Sequence, residues 1–224
     1  MEITKEQLLQ IDNYIFVCGI QFYDVRSEIV DHFANILEQK LDKNPDLDFK
    51  QEIINIHKNF SDSGFQNLLK EKTRSVTRKF YKQSLQHLLT FFKFPKIIVS
   101  GFLFFILFQM MHLFEDKEAF FRTFSLSILG LIIVFCGIVL IRYKKNIKFL
   151  TLEKSNHFLV LIYNLFYGFY TYSDIRSSES FFDATQNNIQ LGVFVILVLF
   201  FWSGEYVYNQ NKKIVKEQYP NIAV

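Results

Sequence analysis

Glu28, Asp31 and His32 stand at i, i+3 and i+4, so a helix through them places two carboxylates and an imidazole on neighbouring surface positions. Those are ligand types that a first-row metal takes. A metal would need further ligands, and His57 supplies one only if the chain folds it back onto that face. A histidine packed at a helix contact with its flanking acids in solvent is the commoner use of such a triplet. Arg142, His157 and Glu205 form a second candidate cluster, each near one end of an apolar run. Charges inside a bilayer are functional candidates because burying them unpaired is costly. Arg142 and Glu205 lie within about a turn of the membrane edge, where snorkelling removes most of that cost, so pairing or headgroup contact is the plainer reading. The sequence holds no phosphate-binding glycine loop, zinc-protease helix motif, paired-cysteine motif or Gly-x-Ser-x-Gly elbow. We assign no catalytic, cofactor-binding or metal residue and expect a non-enzymatic protein without a cofactor.

The elements that carry these clusters belong to two environments. Half of the 224 residues are hydrophobic, with 28 Phe and 11 Tyr, which is too apolar for an ordinary soluble domain. Residues 1–94 are charged and mixed, whereas four stretches beyond them are nearly free of ionisable side chains. The expected spans are about 95–114, 123–143, 157–172 and 189–208, most of them close to the ~20 residues that cross ~30 Å of hydrocarbon. The third is shorter and carries Asn164 and Gly168, so a buried or re-entrant helix competes with a crossing.

The charges between the spans alternate. Arg78, Lys79, Lys82, Lys93 and Lys96 precede the first; Glu115, Asp116 and Glu118 outnumber Lys117 and Arg122 after it. The next connection holds Arg142, Lys144, Lys145, Lys148 and Lys154 against Glu153; the one after holds Asp174, Glu179 and Asp183 against Arg176; the tail holds Lys212, Lys213 and Lys216 against Glu217. By the positive-inside rule the third segment crosses and both termini are cytoplasmic. Tyr143, Tyr170, Tyr172, Trp202, Tyr206 and Tyr208 fit interfacial aromatic belts. MEITKEQLLQ lacks the features of a secretory signal, so insertion is expected to follow the internal segments. Abundant Lys, Ile, Asn and Phe suit an AT-rich bacterial coding sequence, and the expected location is the bacterial inner membrane.

The N-terminal part reads as helices. Thr4 and Gln7 form a capping box opening a helix with Leu8, Leu9, Ile11 and Ile15 that ends near Cys18 and Gly19. A second helix, about 25–41, aligns Ile29, Phe33, Ile36, Leu37 and Leu41, and a third, about 49–60, presents Ile53, Ile54 and Ile56 before the turn Ser61–Gly64. From Phe65 an amphipathic pattern through Leu68, Leu69, Val76, Phe80, Leu85, Leu88, Leu89 and Phe92 runs almost to the membrane, with a Lys, Arg and Gln face toward water or headgroups. Pro95 is expected to kink or restart the helix there. Without strand-like alternation the fold class is all-α: a cytoplasmic helical domain over 1–75, an amphipathic connecting helix over 76–94, a four-helix transmembrane bundle over 95–209 and a tail over 210–224. Cys18 and Cys136 are read as buried thiols.

The runs VRSEIVDHFANILEQKL, residues 25–41, and DFKQEIINIHKNFSDSGFQNLLKEK, residues 48–72, resemble the HAAS-type helical domain found ahead of membrane spans. The shared features are the Glu28–His32 core of an acidic-apolar helix and a shorter helix ending in Phe before a glycine-containing turn. That turn commonly reads Phe-Gly-Asp in the family and here reads Phe60, Ser61, Asp62, Ser63, Gly64. Such domains accompany PadR-like regulators or precede permease-like regions, so the resemblance implies a signalling or assembly module.

The expected function is an adaptor whose cytoplasmic helices bind a protein partner, a regulator, a permease or a second copy of the chain, and couple it to the bundle by a shift of the helix before Pro95. The rival classes are a small transport or channel component with Gln109, His112, Asn164 and Glu205 lining a polar route, and a membrane-embedded enzyme using either candidate cluster. Ser125 and Ser127 are expected to be satisfied between spans, and Gly130 and Gly137 to permit close helix approach. A net charge of +3, from 25 bases against 22 acids, gives no reason to expect nucleic acid as a partner.

Overall fold

The computed structural model describes the backbone of residues 2–60, 65–143, 148–176 and 184–220, and their side chains except at 60, 138–143, 176 and 184. Among the described residues all regular structure is helical: α1 Lys5–Val17, α2 Tyr23–Lys43, α3 Phe49–Phe60, α4 Phe65–Thr90, α5 Lys96–Leu113, α6 Lys117–Tyr143, α7 Leu150–Arg176 and α8 Ala184–Gln218. The Ser61–Gly64 turn lies outside the described residues. The chain divides into two compact units, Met1–Arg78 with Ile147–Lys154, and Lys79–Asn146 with Ser155–Val224. The start of α7, read from sequence as part of a basic loop, belongs to the first unit.

In the first unit, Thr4 Oγ1 accepts from Gln7 N at 3.3 Å while Thr4 N donates to Gln7 Oε1 at 2.9 Å, completing the expected capping box. The helix stops at Cys18, where Gly19 takes a left-handed φ of 100° that a side chain would resist. Arg26 then fastens α1 to α2. Its Nε donates to Asp12 Oδ1 at 2.6 Å, and the guanidinium lies over the Phe16 and Tyr23 rings. Along α2, Val25, Ile29, Phe33, Leu37 and Leu41 recur every four residues and are all buried. The first four close on Ile11 and Ile15 of α1 and Ile53 and Ile56 of α3, while Ile54 faces outward. Leu150, wholly buried, completes this core.

In the second unit, among the described residues, three helices are long and apolar enough to cross a membrane: α5, α6 over Lys117–Gly137 and α8 over Thr185–Gln218. Helix α7, expected as the third span, has 27 residues but carries Glu153, Lys154, Asn156, Asn164 and Asp174 and is not among them. Helix α4 ends at Thr90, short of the expected residue 94, and Pro95 restarts the chain as the N-cap of α5. Helix α8 runs on to Gln218, so most of the expected tail is helical.

Phenylalanines fill the interior of this unit. Phe120, Phe121, Phe158, Phe166 and Phe194 are almost fully buried, and edge-to-face pairs link Phe158 with Phe200 at 5.0 Å and Phe166 with Phe194 at 5.9 Å. Gln190 Nε2 of α8 donates to Ser173 Oγ of α7 at 2.7 Å, a buried bond between helices. Gly130 and Gly137, expected at close approaches, have nothing within 4 Å of where a Cβ would stand. The close approach is at Gly204, where a Cβ would come 1.8 Å from Cε1 of Phe158.

Candidate functional site

Glu28, Asp31 and His32 do come together on the outer face of α2, lining a cavity of about 400 Å³ with Ile29, Asn35, Leu68 and Lys72. Lys72 Nζ of α4 donates to both oxygens of Glu28, at 2.6 and 2.7 Å, which occupies the carboxylate a metal would need. His57 is held elsewhere. Its Nδ1 lies 2.7 Å from the Tyr14 hydroxyl and its ring stacks on Phe65 at 4.3 Å. No group of three or more His, Cys, Asp or Glu that could hold a metal occurs among the described residues.

Cys18 Sγ lies 3.9 Å from the same His57 nitrogen. Burial pushes the thiol up from its ordinary range, partly offset by the Tyr14 hydroxyl, so it stays protonated and a poor nucleophile at neutral pH. Tyr14 is raised too, first by burial and then by Cys18. Cys18 and Cys136 are each free and half-buried, less enclosed than expected.

The second candidate cluster is not assembled by the described side chains. Arg142 has its side chain outside them, His157 is exposed, Glu205 is half-buried, and no hydrogen bond or ion pair joins His157 to Glu205. Of the residues expected along a polar route, Gln109, His112 and Asn164 are all exposed. Asn164 turns its amide back onto the Val160 carbonyl of its own helix at 2.8 Å, and Ser127 does the same with Thr123 O.

The polar site that the sequence did not reveal is Asp24. Its Oδ1 accepts from Leu150 N at 2.9 Å, and its Oδ2 accepts from Thr151 N and Thr151 Oγ1, each at 3.1 Å. Tyr23 N donates to Lys148 O at 2.8 Å, and the Tyr23 and Phe149 rings meet edge to face at 5.9 Å. A carboxylate on the free N–H groups of a first turn is a strong helix cap, because it satisfies donors that have no partner in the helix and complements the helix dipole. Here the cap comes from a residue 126 positions earlier in the chain. No local signal near Leu150 points to it.

Elsewhere in the first unit, Glu52 is held ionised. Lys40 and then Asn55 hydrogen-bond its carboxylate and lower it from an ordinary value of 4.5, against the opposing effect of burial. A depressed carboxylate stabilises the fold fully above its unfolded value and loses that contribution as pH falls. Thermal melts of the full chain are therefore expected to decline on acidification below about pH 4.5, and the Glu52→Gln variant to show a smaller decline over the same window.

In the second unit, His87 of α4 stacks on Tyr206 of α8 at 4.0 Å and receives Lys96 Nζ at its Nε2, 3.3 Å away. An ammonium can only donate, so Nε2 is the acceptor and the ring is neutral with its proton on Nδ1. Burial, then the Lys96 charge, lower the His87 pKa in the same sense.

No protein-family model, curated protein or solved structure matches the chain.

Proposed function

We propose that this chain is a non-enzymatic, multi-pass membrane adaptor whose N-terminal helical unit binds a protein partner in the cytoplasm and passes the partner's presence to the membrane helices. The observation that carries the reading is the Asp24 cap. Helices α4 and α7 each begin in the first unit and end in the second, and Asp24 fixes the first turn of α7 inside the first unit's own core. A partner that shifts α2 thereby shifts the turn from which α7 starts. The shift of α4 before Pro95, anticipated from sequence, is the second connection of the same kind. In this reading α7 crosses the bilayer as a fourth span, both termini are cytoplasmic, the membrane is a bacterial inner membrane and the first unit is HAAS-like. The partner is a regulator, a permease or a second copy of the chain.

The cavity beside Asp31, His32 and Asn35 offers the exposed face for that partner, and the exposure of Gln109, His112 and Asn164 favours the adaptor over a polar transport route. A photo-crosslinking amino acid at Asn35 of the full chain, in native membranes, tests the reading. One defined adduct is expected at Asn35 and none at exposed Val160 of α7. Failure to form an adduct at any exposed position of α2 would remove the adaptor reading.

A further inference from the structure

Between Lys72 and Phe114 the sequence has no Asp or Glu. Within the second unit this stretch carries Lys79, Lys82, Lys93 and Lys96, and none of the four forms an ion pair among the described residues; the first three are exposed. Lys96 is the first residue of α5, where the helix dipole is positive and no acid occupies the first turn. Among the described residues its ammonium meets neutral groups: His87 Nε2 at 3.3 Å, Thr90 Oγ1 at 3.1 Å and the face of Phe91 at 5.2 Å. A cation held in a positive field by uncharged partners calls for an anion, and the chain provides none nearby in sequence.

Apolar surface adjoins these cations. Leu85 and Leu89 on α4, one turn apart, are each 52 % exposed; Phe94 in the elbow is 83 % exposed and Ile98 on α5 is 63 % exposed. Cations beside bare apolar side chains at the start of a membrane helix match a lipid, with its phosphate on the lysines and its acyl chains on the phenylalanine and isoleucine. An acidic protein segment would satisfy the lysines but leave that apolar surface in water.

We propose that the elbow joining α4 to α5 is a binding site for an anionic glycerophospholipid, with Lys93 and Lys96 holding the phosphate. The site selects by headgroup charge, since the apolar surface takes the acyl chains of any phospholipid.

Trp202, the single tryptophan, lies at the elbow, its ring 5.8 Å from Phe91 and half exposed. It reports lipid directly. The full chain is reconstituted in phosphatidylcholine vesicles with a minor fraction of either brominated phosphatidylglycerol or brominated phosphatidylcholine, and quenching of Trp202 is compared. The site predicts a relative affinity for the anionic lipid of about fivefold or more, the worth of one interfacial cation. The Lys93→Gln/Lys96→Gln variant should bring the ratio near one, and Lys213→Gln should leave it unchanged. Equal quenching by the two lipids in the unaltered protein overturns the proposal without any variant. A preference that survives the double substitution overturns it as well, because the anion then binds elsewhere.

Discussion

Replacing Gly204 with alanine is expected to cost about 3 kcal/mol, the upper end for forcing an extra methyl into a packed interior. The new Cβ would stand 1.8, 2.3 and 2.6 Å from three carbons of the Phe158 ring. That ring is 1 % exposed and held by Phe80 at 5.5 Å and Phe200 at 5.0 Å, so it cannot swing aside without displacing both. The measurement is thermal unfolding of the purified chain in mild detergent. Gly192→Ala, with nothing within 4 Å of the added methyl, is the control and should melt at or above the unaltered protein. Combining Gly204→Ala with Phe158→Leu should recover part of the loss, because removing the ring removes the clash. Two substitutions that each destabilise alone and partly cancel together show direct coupling. Purely additive losses would mean that α7 and α8 do not meet at this glycine.

Asp24→Ala is expected to loosen the start of α7 by about 2 kcal/mol, since it removes a charged acceptor from two backbone N–H groups and a hydroxyl. That corresponds to a roughly thirtyfold rise in local opening. Trypsin cleavage after exposed Lys148, followed by mass spectrometry of the fragment that begins at Phe149, reads it. Asp24→Asn keeps one oxygen acceptor and should fall between. Asp31→Ala, on the exposed face of α2, should leave cleavage unchanged. Equal cleavage rates for the unaltered and Asp24→Ala chains would show that the cap does not hold α7.

These two positions also show where sequence legibility ends. The capping box at Thr4 and Gln7, the limits of α3 and the four-residue recurrence of Ile29, Phe33, Leu37 and Leu41 are all signals within a turn or two of their own helix. Local spacing suffices to read them. The apolar runs of α5, α6 and α8 are legible for a similar reason, because crossing hydrocarbon sets a length and a composition. Asp24 is different: in sequence it is one more acid in the first turn of a helix, and its partners lie 126 and 127 residues away. The glycines make the same point. Gly130 and Gly137 stand in apolar rows and Gly204 between Ser203 and Glu205, and it is the ring of Phe158 that singles out the last.

The first candidate cluster shows what spacing can and cannot reveal. Glu28, Asp31 and His32 share a face as their spacing required, yet Lys72 from another helix takes the Glu28 carboxylate. His57, imagined as a further ligand, is held by Tyr14 and Phe65. Spacing fixes which side chains are neighbours on one helix; the rest of the coordination sphere depends on packing. The basic stretch from Lys72 to Phe114 was readable in part, as cations flanking a span, but the neutral company kept by Lys96 was not.

The coupling itself is tested most directly by amide hydrogen exchange over residues 148–156 of the full chain, with and without the partner trapped at Asn35. The adaptor account predicts that exchange in this segment changes by about fivefold or more when the partner is bound, the lower end of a real coupling between two sites, and that Asp24→Ala abolishes the difference. Identical exchange in the free and partner-bound protein would contradict it.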